Sequence, residues 1–323
     1  MYKLSFFKLP FIFITLFLIS SAFIFNIRFG ITFLATFHDY KNLWSSLYKL
    51  TPYQLLRSIP ECLLLFGVSA IAFYRINVHL VTLKNIVLII LNVLIVCTIG
   101  YLLSVIADLM FDEILINYID VDSWLFILVL SIIPDGLFYL CAGLLTYYCI
   151  RALNNQFEKS TLVFELNTLN SCKIHFILFL AFFFFILIGF PSFILDILIQ
   201  QDHYLISISR HIAFPFICYV LIFCVVIVVC KNTFTQVFMV LQIDRIVKSV
   251  VYSNLFIFVF NFTLFSIAER LFDLTVSQTT LHDYTALVLK IALPIISFII
   301  SCLIVRKVTQ YYFYRNTGYS LTL

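Results

Sequence analysis

Residues 124–150 read WLFILVLSIIPDGLFYLCAGLLTYYCI, a 27-residue run with a single charged side chain, Asp135, set between Pro134 and Gly136. A helix that crosses a bilayer takes about 20 mostly apolar residues. The run is longer than that, so it reads as a membrane span with a carboxylate inside it. The rest of the chain agrees. Of its 323 residues 63% are hydrophobic and 11% charged, with a mean hydropathy of +1.10. Soluble domains carry about 25% charged residues. The solvent this sequence is written for is lipid. No segment is polar and long enough to fold as a separate soluble domain, so residues 1–323 are expected to form a single membrane domain.

Eight windows satisfy the length rule: 9–27, 58–74, 85–107, 124–150, 174–198, 211–230, 249–268 and 285–305. Window 58–74 is the shortest and has Glu61 close to its edge, so a count of seven stays open. Only helices and closed barrels satisfy backbone groups within lipid. Barrel strands alternate over about 10 residues, and these runs do not alternate. The expected fold is all-α, a polytopic integral membrane helix bundle of about eight transmembrane helices. Residues 151–173 form its central cytoplasmic loop.

Lys and Arg collect on the cytoplasmic side of membrane proteins. With the N-terminus inside, the cytoplasmic segments hold thirteen of the 20 cations and only Glu158, Glu165 and Asp244 of the 16 acids. Residues 107–122, ADLMFDEILINYIDVD, carry five acids and no cation and read as an outside loop. Both termini are therefore expected in the cytoplasm. The first 23 residues also resemble a secretory signal, with Ser20-Ser21-Ala22 as a small-residue cleavage site. The apolar run continues through Phe25, which favours an uncleaved first helix. Cleavage would leave seven spans in the same orientation.

Nine cysteines lie mostly within spans and are expected to be free thiols. The six histidines show no metal-ligand spacing. Phosphate-cradling, dinucleotide-binding and nucleophile-elbow motifs are missing. So is Gly-xxx-Gly, which implies packing through larger side chains. No cofactor is expected, and no enzyme motif is visible. The acidic loop residues Asp112, Glu113 and Asn117 could hold a divalent ion on adjacent helical turns. A solvated loop explains them as well.

Asp135 is eleven residues into its window, about 17 Å at 1.5 Å per residue and close to the bilayer midplane. An ionised Asp there is unfavourable by about 2.5–3.5 kcal/mol on insertion scales. Ionisable groups within the membrane face a bundle interior or a water-filled cavity. Pro134 removes a helical hydrogen bond and Gly136 loosens the same turn. Asp135, Pro134 and Gly136 thus form a candidate notch for a proton, cation or amine. Asn92 in the third window and Asn261 in the seventh are candidate partners at similar depth. The plainer reading is a protonated carboxyl that hydrogen-bonds a neighbouring helix and serves packing alone.

Residues 138–159, within and after the fourth window, read FYLCAGLLTYYCIRALNNQFEK. This stretch resembles the corresponding part of insect-type gustatory receptors, with Arg151, Leu153 and Asn154 matching the end of their fourth helix. The resemblance covers about twenty residues. The closing Thr-Tyr…Gln-Phe signature of those receptors has no counterpart in RNTGYSLTL at the C-terminus. The resemblance implies a chemosensory-type receptor or ligand-gated channel. A small secondary transporter using Asp135 and a non-catalytic accessory subunit are the alternatives. Expected partners are the lipid bilayer, a small-molecule ligand or ion, and a protein partner or second copy of the chain. Nucleic acid is not among them. The charge bias suits a plasma membrane and a bacterial inner membrane alike.

Overall fold

The structure, a computed structural model, describes residues 5–37, 58–115, 133–159, 172–183, 241–275 and 279–314, together with Leu47, Leu55, Phe223 and Ile227. The described residues form helices and short connections, with no strand among them. After a short 3-10 turn at Ser5–Phe7 come α1 (Lys8–Phe37), α2 (Ile59–Arg75), α3 (Leu83–Leu115), α4 (Ile133–Ala152), α5 (Cys172–Phe183), α6 (Ile243–Thr275) and α7 (Thr279–Tyr314). Lys8–Ile31, Leu83–Leu103 and Ile243–Leu264 are long and apolar enough to cross a membrane. Most of windows 174–198 and 211–230 lie outside the described residues.

The helices overrun the hydropathy windows. α6 begins at Ile243 with Asp244, Arg245 and Lys248 in its first turns, residues the windows leave outside the span. α3 runs on to Leu115, so Asp108, Asp112 and Glu113 stand on its last turns and not in a loop. The reason is that hydropathy falls wherever charges begin, whereas helical hydrogen bonding continues through them. At 1.5 Å per residue the 33-residue α3 and α6 are each about 50 Å long, well beyond a hydrocarbon core of about 30 Å.

The chain divides into two compact units, the first holding α1–α4 and the second α5–α7. In the first, α1 packs on α2 and α3, and α4 packs on α2 and α3. Its core is Leu9, Phe13 and Phe17 from α1, Leu65 and Phe73 from α2, Ile89, Val93 and Val96 from α3, and Ala142 and Ile150 from α4. Gly143 lets α4 approach α2: a Cβ there would meet Leu64 and Val68 at 3.6 Å.

The same end of this unit receives the start of α1, the end of α2, the start of α3 and the end of α4. Phe6 meets Tyr74 and His79 edge-on and tilted, at 6.2 and 5.6 Å between ring centroids. α2 stops because Asn77 adopts a left-handed φ of 55°. The Val78 N–H then bonds the Phe73 carbonyl and the Asn77 N–H that of Tyr74, at 3.0 and 3.1 Å. That is the Schellman pattern, and Val78 and Phe73 supply its apolar contact. Thr82 opens α3 by accepting the Asn85 N–H at 3.3 Å.

Large apolar side chains are exposed along the described helices. Phe11, Ile19, Phe23, Ile27 and Ile31 face outward along α1, and Phe11 is 66% exposed. Leu91, Leu94 and Leu102 face out on α3, and Val251, Leu255 and Val259 on α6. The buried set meanwhile includes Ser69, Asn85, Asn92, Thr146, His175, Ser249, Ser253 and Asn261. Large apolar side chains outside and amides and hydroxyls within is the arrangement of a helix bundle solvated by hydrocarbon.

Candidate functional site

The polar groups inside each unit are where chemistry could reside. Asn92 is fully buried on α3, and its Nδ2 donates to the Leu88 carbonyl at 3.0 Å. Its Oδ1 has no hydrogen-bond partner. Thr146 on α4 is also fully buried, with an unpartnered Oγ1. The two share a level. Gly100 and Phe138 fix the antiparallel register of α3 against α4, with 3.4 Å between the position of a Gly100 Cβ and Phe138 Cζ. Asn92 is eight residues before Gly100, and Thr146 eight after Phe138.

Asp135, Pro134 and Gly136 lie in the first described turn of α4; their side chains are outside the described residues. Asp135 is eleven residues from Thr146, about 16 Å along the helix. Asn92 therefore stands with Thr146 and away from the level of Asp135. Asn117, the last of the candidate acidic-loop ligands, lies outside the described residues. Among the described residues no three His, Cys, Asp or Glu side chains gather as a metal ion would require.

Asn261, in the second unit, is buried and accepts a hydrogen bond from the Ser297 hydroxyl. It belongs to a longer seam. On α6, Ser249, Ser253, Ile257 and Asn261 recur every four residues. On α7, Ser297, Ser301, Val305, Thr309 and Phe313 do the same, and all nine are buried. These are the i±4 ridges through which helices pack. His175 on α5 hydrogen-bonds Ser249, and Thr309 Oγ1 lies 3.5 Å from its Nε2. Arg245 Nη1 donates to the Phe313 carbonyl at 3.4 Å.

One antiparallel register accounts for every one of these contacts. Asn261 lies twelve residues beyond Ser249 on α6, and Thr309 twelve beyond Ser297 on α7. In that register Ser253 faces Val305 and Ser301 faces Ile257. This explains why the Ser253 and Ser301 hydroxyls lack partners. Packing in this unit thus runs through small residues at four-residue spacing, which the expectation of large side chains missed. The signal was there in Ser-xxx-Ser at 249–253 and 297–301, in place of glycine.

The remaining polar link closes the first unit. Asn85, fully buried at the start of α3, donates through Nδ2 to the carbonyls of Leu80 at 2.9 Å and Glu158 at 3.2 Å. Its Oδ1 accepts the Glu158 N–H at 2.9 Å. The segment that carries the receptor resemblance is thereby tied back onto α3, with Phe157 buried in the core. No family model, no curated protein and no solved structure matches the chain.

Proposed function

We propose that the chain is a multi-pass membrane protein of the signal-receiving kind, a chemosensory-type receptor or ligand-gated channel, with both termini cytoplasmic. The observation that supports this reading is the pair of unpartnered oxygens on Asn92 and Thr146, both fully buried at one level of the first unit. A buried acceptor left without a donor destabilises by about 1–3 kcal/mol. A ligand bearing a hydroxyl or amine supplies the missing donor. Because it makes that bond only where α3 and α4 admit it, it has different affinities for two states of the bundle, which is what a receptor needs. The charge bias supports the orientation: Lys8, Arg75, Lys84 and Arg151 all stand at one end of the first unit.

A small secondary transporter is the second reading. It rests on Asp135, an ionisable residue in an otherwise apolar run. Proteoliposomes separate the two. Wild type, Asp135→Asn and Asn92→Leu are reconstituted after matched folding checks, and proton and cation flux is followed with and without a panel of small alcohols and amines. The receptor reading expects no flux without a stimulus. It also expects ligand-induced thermal stabilisation that Asn92→Leu removes and Asp135→Asn keeps. Stimulus-free flux that Asp135→Asn abolishes would replace it with the transporter.

A further inference from the structure

The basic end of the first unit is built, not merely basic. Two links across the fold decide where its cations stand. The Asn85–Glu158 bonds set Lys84 beside Lys159, residues far apart in the chain. The Arg75 guanidinium donates to the Tyr147 hydroxyl at 2.7 Å, which sets Arg75 beside Arg151, one helical turn on from Tyr147. Lys8, Arg75, Lys84, Arg151 and Lys159 are all exposed. Among the described residues of this end the one exposed carboxylate is Glu158, and Lys84, Arg151 and Lys159 have no ion-pair partner.

Like charges held side by side repel one another, so this arrangement favours an anion between them. The loop leading into α3 exposes Leu80 and Val81, and the first residue of α3, Leu83, next to Lys84, is 81% exposed. A soluble anion would answer the cations and leave those three side chains in water. A lipid with a phosphate headgroup answers both, since its acyl region receives the leucines and valine.

We propose that this end of the unit is a docking site for anionic phospholipid headgroups, the lipid phosphate lying among Lys84, Lys159, Arg75 and Arg151. Leu80, Val81 and Leu83 are set against the adjoining acyl region. The Asn85 clasp positions the site by fixing Lys159 next to Lys84. The proposal rests on the membrane reading above, and its test is separate: loss of lipid selectivity leaves membrane integration intact, whereas extraction of the chain from membranes by alkaline carbonate defeats the membrane reading itself.

The experiment uses the full chain in a neutral detergent. Native mass spectrometry follows its titration with phosphatidylserine, phosphatidylcholine or inorganic phosphate. The three cations without an ion-pair partner among the described residues, Lys84, Arg151 and Lys159, predict that phosphatidylserine is held about a hundredfold more tightly than phosphatidylcholine. Lys84→Gln/Arg151→Gln/Lys159→Gln brings the two lipids to parity, while the corresponding Lys84→Arg/Lys159→Arg variant keeps the preference. Leu83→Ser weakens the hold on phosphatidylserine. A triple neutralisation in the second unit, Lys173→Gln/Arg306→Gln/Lys307→Gln, leaves the preference in place. Parity in the wild type, a preference that survives the first triple variant, or equal loss in both triples overturns the proposal. Displacement of the lipid by inorganic phosphate alone reassigns the site to a free anion. Circular dichroism and thermal melting confirm that each variant is folded.

Discussion

Asn85 and Glu158 are joined in both directions: the amide of one donates to the carbonyl of the other and accepts its N–H, at 3.2 and 2.9 Å. A side chain in this position imitates a neighbouring strand, pairing both backbone groups of a residue that has no helix to satisfy them. The chain after α4 is thus anchored to the first turn of α3.

Asn85→Ala removes that pairing and leaves the Glu158 backbone and the Leu80 carbonyl without their partner. The expected loss is about 2 kcal/mol. It would be measured as a lower melting temperature and as new protease cleavage within residues 153–159. Asn85→Asp keeps an acceptor for the Glu158 N–H but turns a donor into a carboxylate oxygen aimed at two carbonyls, so it destabilises as well.

This clasp shows where the sequence was readable and where it was not. The long apolar runs announced α1, α3, α6 and α7, because a span is a local property that a window can sum. Asn85 stood at the edge of a window, and nothing near it named Glu158. His175 and Ser249 likewise find each other across 74 positions. The serine seam is local and periodic, with serine standing where a Gly-xxx-Gly pattern has glycine. The start of α6 at Ile243 was hidden because charge ends a hydropathy window without ending a helix.

The seam makes a contrast within one interface. The Asn261–Ser297 hydrogen bond lies between helices, and membrane double-mutant cycles average about 0.6 kcal/mol for such bonds. Ser297→Ala with Asn261→Ala should show a coupling of that size in unfolding by a denaturing detergent.

Ser253 and Ser301 should behave in the opposite way. Their hydroxyls are buried and unpartnered, so Ser253→Ala and Ser301→Ala remove an unsatisfied group and leave stability unchanged or raised. Ser301→Leu, which adds bulk where α6 and α7 approach, lowers it by about 1–3 kcal/mol. Thermal melting of the three variants reads this directly.

His79 gives the pH dependence a sign. It sits in the loop between α2 and α3, packed against Phe6, and burial pulls its pKa from 6.5 down to about 4. The folded chain therefore binds the proton less readily than the unfolded chain. The stability this histidine contributes is fully present above pH 6.5 and is lost as pH falls through the interval from 6.5 to about 4. His79→Phe should flatten that part of the stability–pH curve.

The central claim is that the outward apolar faces meet lipid. Spin labels placed singly at Ile19, Phe23, Leu94, Leu255 and Val259 in the reconstituted chain, with Lys159 as a reference, test it by relaxation with oxygen, which concentrates in the bilayer, and with a water-soluble nickel chelate. The account predicts strong oxygen and weak nickel relaxation at the five apolar positions and the reverse at Lys159. Nickel relaxation at those five positions equal to that at Lys159 would contradict it.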